Sequence, residues 1–85
     1  MEPIVTTGIR QWQSHKKVRA EKITAIEIGA QTVRLQFAAG HAEVSHQWNV
    51  KHHPHAGGYF VVYEDGYSSF SPAPAFEAGY TEIAP

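Results

Sequence analysis

The chain of 85 residues contains no cysteine. No disulfide framework props it up, and a thiol nucleophile or thiolate zinc site is excluded. The lack of cysteine fits a cytosolic protein. No apolar run approaches the roughly 18–20 residues of a membrane-spanning helix. Met1-Glu2-Pro3-Ile4 shows no basic region leading into an apolar one, so no secretory signal is read there. Charge of one sign is also missing. Seven Lys and Arg face eight Asp and Glu, for a formal net charge of -1 and a pI near 6.6. Such a balance argues against gripping nucleic acid through a bulk positive field.

What is present is a hydrophobic fraction of 42%. The expectation is one globular domain over residues 1–85. A chain of this size buries only about 60–65% of its unfolded surface, so its core is small. The charges are uneven along the chain. Arg10, His15, Lys16, Lys17, Arg19 and Lys22 crowd the first quarter, and Glu64, Asp65, Glu77 and Glu82 sit in the last.

Residues 1–13 read as an irregular N-terminal arm, broken by Pro3 and Gly8. Ile4, Ile9 and Trp12 give it something to bury, so a docked arm is expected. Residues 18–28 read as a strand rich in β-branched side chains, whose mixed parities either a bulge near Glu21-Lys22 or burial on both faces would reconcile. Gly29-Ala30-Gln31 turns the chain. Thr32-Val33-Arg34-Leu35-Gln36-Phe37 alternates cleanly, with Val33, Leu35 and Phe37 on the core side, and pairs back as a hairpin. Residues 43–51 suit two readings. Strand is one, because Val44, Trp48 and Val50 share a parity. The preferred one is a short helical turn capped by Ser45, with Val44 and Trp48 in staple-like contact.

The last third carries the firmest punctuation. Tyr59-Phe60-Val61-Val62-Tyr63 is apolar on both faces and predicts a central, doubly covered strand. Asp65-Gly66 predicts a tight hairpin turn with positive φ at both residues. Residues 67–70 return as a strand. Ser71 is read as a helix N-cap, Pro72 as the first helical residue and Gly79 as the position just past the end. The predicted fold is α+β: a small, mostly antiparallel sheet of four to five strands with one short C-terminal helix, about 71–78, packed through Phe76.

The motifs then resemble something known. Lys51-His52-His53-Pro54, the run from Gly57 to Tyr67, Ser69-Phe70-Ser71-Pro72-Ala73, Ala75-Phe76-Glu77 and Gly79-Tyr80-Thr81 resemble a family of small proteins encoded by tailed phages and prophages. Ser14-His15-Lys16-Lys17-Val18, Ala20 and Lys22-Ile23 look like that family's N-terminal signature. The resemblance implies a genomic setting and no activity. A looser similarity is to small phage anti-defence proteins that counter the Thoeris system by sequestering a cyclic-nucleotide-like signal. Phe70-Ser71-Pro72 departs from their helix-start pattern.

Three constellations are candidates for chemistry. Six histidines include His52, His53 and His55 around Pro54. Three imidazoles are enough for a catalytic metal, but this spacing matches no structural zinc motif, and a polar loop that is merely His-rich is the plainer reading. Ser14-His15-Lys16-Lys17-Val18-Arg19 offers cations for a phosphate, or lysines guarding a strand edge. Tyr59, Phe60, Tyr63, Tyr67, Phe70, Phe76 and Tyr80 fall within 22 residues. A domain this small cannot bury all of them, so part of the set is expected to face a partner. A serine hydrolase site is not supported. Ser68, Ser69 and Ser71 lack a nucleophile elbow, and Gly57-Gly58 precedes a strand and not a helix.

The expectation drawn from all this is a non-catalytic phage or prophage protein without a cofactor. It would act in the bacterial host cytoplasm on a host or phage protein or a small phosphorylated ligand. Trp12, Lys16, Lys17, Lys51, His52 and Tyr67 are the candidate contacts. The alternatives are a small metal-dependent hydrolase using His52, His53 and His55, and a minor virion or assembly component. A homo-oligomer would bury surplus aromatics across a two-fold axis. Bulk nucleic-acid binding and membrane insertion are not expected.

Overall fold

The structure is a computed structural model that describes residues 17–83. The arm over residues 1–13, with Trp12, and the neighbouring Lys16 lie outside the described residues. The α+β class is as expected. The strands form two antiparallel sheets of three, not one sheet of four to five, and a second short helix stands where a helical turn was the preferred reading, beside the predicted C-terminal one.

The first strand explains the division. β1 (Arg19–Lys22) and β2 (Ala25–Ile28) are one run of chain that changes sheets at Ile23-Thr24. The expected bulge at Glu21-Lys22 is therefore a corner two residues further on. Ile23 still bonds to the first sheet, donating its N–H to the Gly58 carbonyl at 2.8 Å. Thr24 already bonds to the second, donating to the Gln36 carbonyl at 2.7 Å. The corner also buries Ile23, which is 1% exposed, between the sheets.

β2 pairs with β3 (Val33–Gln36), and β3 pairs with β4 (His41–Val44). The β2–β3 turn needs its glycine, since a Cβ on Gly29 would sit 2.8 Å from the Thr32 carbonyl oxygen. β3 is the predicted half-buried strand: Val33 and Leu35 are fully buried, and Arg34 points out to pair with Glu43 of β4 at 3.3 Å. β4 was not anticipated as a strand. Its alternation, Ala42 and Val44 against His41 and Glu43, is only four residues long and merges into the next helix.

That helix is α1 (His46–His52). The helical reading of residues 45–51 holds, and so does its cap. The Ser45 hydroxyl accepts the Trp48 N–H at 3.0 Å, and Trp48 packs on the core cluster that contains Val44. His53 ends the helix in the left-handed region at φ 48° and donates its N–H to the Asn49 carbonyl. This conformation costs a β-carbon residue energy and turns the chain sharply away from the helix.

β5 (Tyr59–Val62) lies between β1 and β6 (Ser68–Ser71), the central position expected for it. Alternation sends Phe60 to the core face and Tyr59 and Val61 to the other. Phe60 packs against Phe37 and Trp48, and Phe70 across the strand joins it on the core cluster. On the opposite face lies α2 (Ala73–Gly79), whose Phe76 ring stacks on Tyr59 at 4.2 Å. The strand is thus covered on both faces.

Two local predictions need correction. The β5–β6 turn is a three-residue loop, Glu64-Asp65-Gly66, and only Gly66 has a positive φ, at 90°. Tyr63 N–H reaches the Tyr67 carbonyl at 2.8 Å, and the Asp65 carboxylate accepts the Tyr67 N–H at 3.0 Å. This side-chain bond lets Asp65 keep a negative φ. The second correction concerns the helix start. Ser71 does not cap α2, because its backbone is committed to β6 opposite Tyr59. Pro72 occupies the cap position with no side-chain bond, and Gly79 is the last helical residue, not the one beyond it.

Counting β1 and β2 as one bent strand, the order is strand, strand, strand, helix, strand, strand, with the first strand shared by both sheets. This is the topology of an OB-fold, a partly open five-stranded barrel. The core lies between the sheets, where Ile23, Val33, Leu35 and Val44 meet Phe60, Phe70 and Trp48. Among the described residues no helix is long and apolar enough to cross a membrane.

Candidate functional site

The β5–β6 hairpin tip and the end of α1 come together on the surface. Tyr63 and Tyr67 flank the turn and stack at 5.8 Å. His52, in the last turn of α1, meets the Tyr67 ring edge-on at 6.3 Å and lies against Trp48 at 4.5 Å. The Lys51 ammonium sits 5.8 Å from the Tyr67 ring centre, within range of a cation–π attraction. Lys17, Tyr63, Glu64, Asp65 and Tyr67 line an open hollow of about 490 Å³.

Trp48 anchors the arrangement. Its indole N–H donates to the Ser68 hydroxyl at 3.1 Å and lies 3.4 Å from the Ser68 carbonyl. These contacts tie α1 to β6 and so to the hairpin. Tyr67 is nevertheless half exposed, at 50%. Burial, and then the adjacent Lys51 cation, hold the His52 imidazole below its usual pKa range.

Lys17, Lys51, His52 and Tyr67 are therefore gathered at one end of the fold, although Lys17 and Tyr67 are fifty positions apart in the chain. Trp48 and Tyr63 complete the patch and were not among the candidates. The signal for Tyr63 was its place opposite Tyr67 across the predicted turn. For Trp48 it was the Ser45 cap, which fixes its direction.

The three histidines proposed for a metal are not brought together. His52 faces Trp48 and Tyr67. His53 is spent on the helix end. His55 lies edge-on to Phe70 at 4.8 Å, with Nδ1 3.2 Å from the Ala56 carbonyl. Among the described residues no three His, Asp or Glu side chains converge as a metal site would require.

The other aromatic surplus belongs to α2. Tyr59, Phe76 and Tyr80 form a continuous stack, with Phe76–Tyr80 at 4.6 Å. The Tyr59 hydroxyl donates to Glu77 at 2.8 Å, and Lys22 stands 3.9 Å from the same carboxylate. That hydrogen bond, then desolvation, then the charges of Glu77 and Glu82 raise the Tyr59 phenol above its usual range. These contacts clamp the helix to the sheet.

The fold and this surface define a class: a small partly open barrel that presents loops and a helix end. A solved protein of the same fold is the monomeric form of the phage L decoration protein, determined by NMR in solution. The similarity has a TM-score of 0.64 at 24% sequence identity, and covers 98% of this chain and 66% of that one. The chain thus spans just under two thirds of that protein's length. No family model matches the chain, and no curated protein matches it in sequence.

Proposed function

We propose that this chain is a non-enzymatic component of a tailed-phage particle that binds a protein of the assembled shell. The observation that carries the reading is the shared fold with a phage decoration protein over nearly the whole chain. The sequence resemblance to small tailed-phage and prophage proteins supports the same setting. The reading takes up the virion alternative in place of action in the host cytoplasm. The contact surface is the hairpin-tip patch of Lys17, Lys51, His52, Tyr63 and Tyr67. Aromatic rings held rigidly beside cations are the residue types that dominate protein–protein binding energy.

The test uses particles from a phage that encodes the chain. The protein is expected in gradient-purified particles and absent from particles of a deletion strain. Purified chain added back should bind deletion particles at saturable stoichiometry. Tyr67→Ala should weaken that binding at least tenfold, with the far-ultraviolet circular dichroism unchanged. Absence from particles together with no add-back binding overturns the proposal. The second reading, a small phosphorylated ligand in the host cytoplasm, rests on Lys17 lining the hollow beside Tyr63 and Tyr67. A thermal-shift screen with nucleotides and cyclic dinucleotides tests it. No shift at millimolar ligand removes it.

A further inference from the structure

β1 is a terminal strand of its sheet, and among the described residues no strand pairs its other side. Which main-chain groups face that side follows from the ladder. Ile23 N–H bonds to the Gly58 carbonyl, and antiparallel pairs alternate between bonded and non-bonded. Along the β1–β5 register this turns the N–H and C=O of Glu21 and Arg19 toward Phe60 and Val62. Those of Ala20 and Lys22 point outward. The β6 side fixes the same phase. Tyr63 N–H bonds to the Tyr67 carbonyl, so Val61 serves β6 while Phe60 and Val62 serve β1. A groove of about 810 Å³ runs along the outward edge. Outward main-chain groups along such a groove accept an added strand.

The side chains of β1 choose the occupant. Arg19, Glu21 and Lys22 are exposed, and the small Ala20 stands among them. An antiparallel pair of two β1 strands is two-fold symmetric, and outward groups must meet outward groups. The axis then passes through one residue of the strand, which faces its own copy. An axis at Arg19, Glu21 or Lys22 sets like charges directly opposite, and such a pair is destabilising. An axis at Ala20 sets no charge against itself. It places Arg19 opposite Glu21 of the second copy, and Glu21 opposite Arg19. These are non-bonded positions, where facing side chains stand closest. Ala20 meets Ala20 as a bonded pair, so the main-chain phase and the charges agree in one register.

We propose that two copies of this chain pair through β1, antiparallel about a two-fold axis at Ala20. The two β1–β5–β6 sheets become one continuous sheet. The axis keeps each face of that sheet on its own side, so the α2 faces of both copies lie together. Tyr80 and Ile83 are exposed along the groove and supply apolar surface to the joint. A second copy is the occupant because β1 is complementary to itself in charge at the one axis within the strand that opposes no like charges. The inference goes beyond the particle reading, and its test reads only the self-association of the purified chain.

The test is sedimentation equilibrium of the full chain over a range of concentrations, with far-ultraviolet circular dichroism to show that each variant is folded. The unsubstituted chain should reach a dimer. Arg19→Glu sets carboxylate opposite carboxylate, and Glu21→Arg sets guanidinium opposite guanidinium. Each alone should weaken the dimer about tenfold. Mixing the two variants should restore a dimer, because every facing pair is again a carboxylate and a guanidinium. Ala20→Pro deletes an outward N–H, leaves the bonds to β5 in place and should abolish the dimer. A chain that stays monomeric into the millimolar range overturns the proposal. So does a dimer undiminished by Arg19→Glu or Ala20→Pro, or a mixture of the charge variants that fails to associate. A monomer whose Ala20 amide exchanges slowly also overturns it, and assigns the edge to another part of the same chain.

Discussion

The two sheets have three strands each and divide the labour differently. The β2–β3–β4 sheet supplies Val33, Leu35 and Val44 to the core, and the outward residues of its central strand, Arg34 and Gln36, bond laterally to Glu43 and Glu27. In the β1–β5–β6 sheet the aromatics and serines of β5 and β6 are half-buried, and Val61 is its only fully buried strand residue among those described. One sheet makes the barrel by aliphatic packing with a buried face and a solvated face. The other is covered on both faces by rings that keep one edge or hydroxyl in reach of solvent. Stability should therefore concentrate in the first sheet and adaptable surface in the second.

The largest effect expected from this division is at Leu35. Leu35→Ala leaves a cavity at a fully buried site and should cost about 2–5 kcal/mol, measured by denaturant unfolding. In a domain this small that is a large share of the total stability. Tyr63→Ala, just past the end of β5 in the other sheet, should cost far less, and equal losses would dissolve the contrast. Gly58→Ala probes where the aromatic sheet is tight. A Cβ there would stand 2.3 Å from the Phe70 ring and 3.1 Å from the Ser71 carbonyl oxygen. The ring has to turn away from the core cluster, and a loss of roughly 1–3 kcal/mol is expected, the usual range for overpacking. A neutral Gly58→Ala would show that the rings of this sheet repack freely.

How far the fold could be read in advance follows the same line. β3 was legible because strict alternation over six residues with one buried face leaves a single register. The Ser45 cap and the hairpin after Tyr63 were legible because each depends on one local bond. The corner at Ile23-Thr24 was not, because it arises from one strand serving two sheets, a non-local demand with no turn residue to mark it. α2 starts one residue later than its Ser71 cap would place it, for a similar reason. Ser71 suits a cap locally, but pairing with Tyr59 claims its backbone first. At the candidate site, Lys51, His52 and Tyr67 could be chosen by residue type. Their meeting depends on the three-dimensional path of α1 against the hairpin, which no spacing in the chain encodes.

Ser45 offers a milder test of the joint between the sheets. Ser45→Ala removes the bond to Trp48 N–H, and caps of this kind contribute about 0.5–2 kcal/mol. Because Trp48 then carries α1 to Ser68, the variant should also shift the indole N–H resonance of Trp48. An unchanged indole signal would mean that the Ser68 contacts alone fix the ring.

The smallest effect is a pH slope, and it locates the seam between helix and hairpin. The folded His52 imidazole has a lowered pKa, first from burial against Trp48 and Tyr67 and then from the Lys51 charge. The unfolded chain holds that proton near the ordinary value of about 6.5. Below that value the unfolded state binds more protons than the folded one, so stability rises with pH there. The contribution is complete above pH about 6.5 and is lost as pH falls through the folded pKa. His52→Gln should flatten the wild-type slope in the window just below about pH 6.5, and the difference between the two curves isolates this residue from the other histidines. Lys51→Gln removes the secondary cause only and should flatten it in part. If the His52 ring protons titrate at or above the free imidazole value, the ring is not desolvated by the patch. The helix end would then be solvated apart from Tyr67, and the aromatic sheet would present the hairpin tip alone.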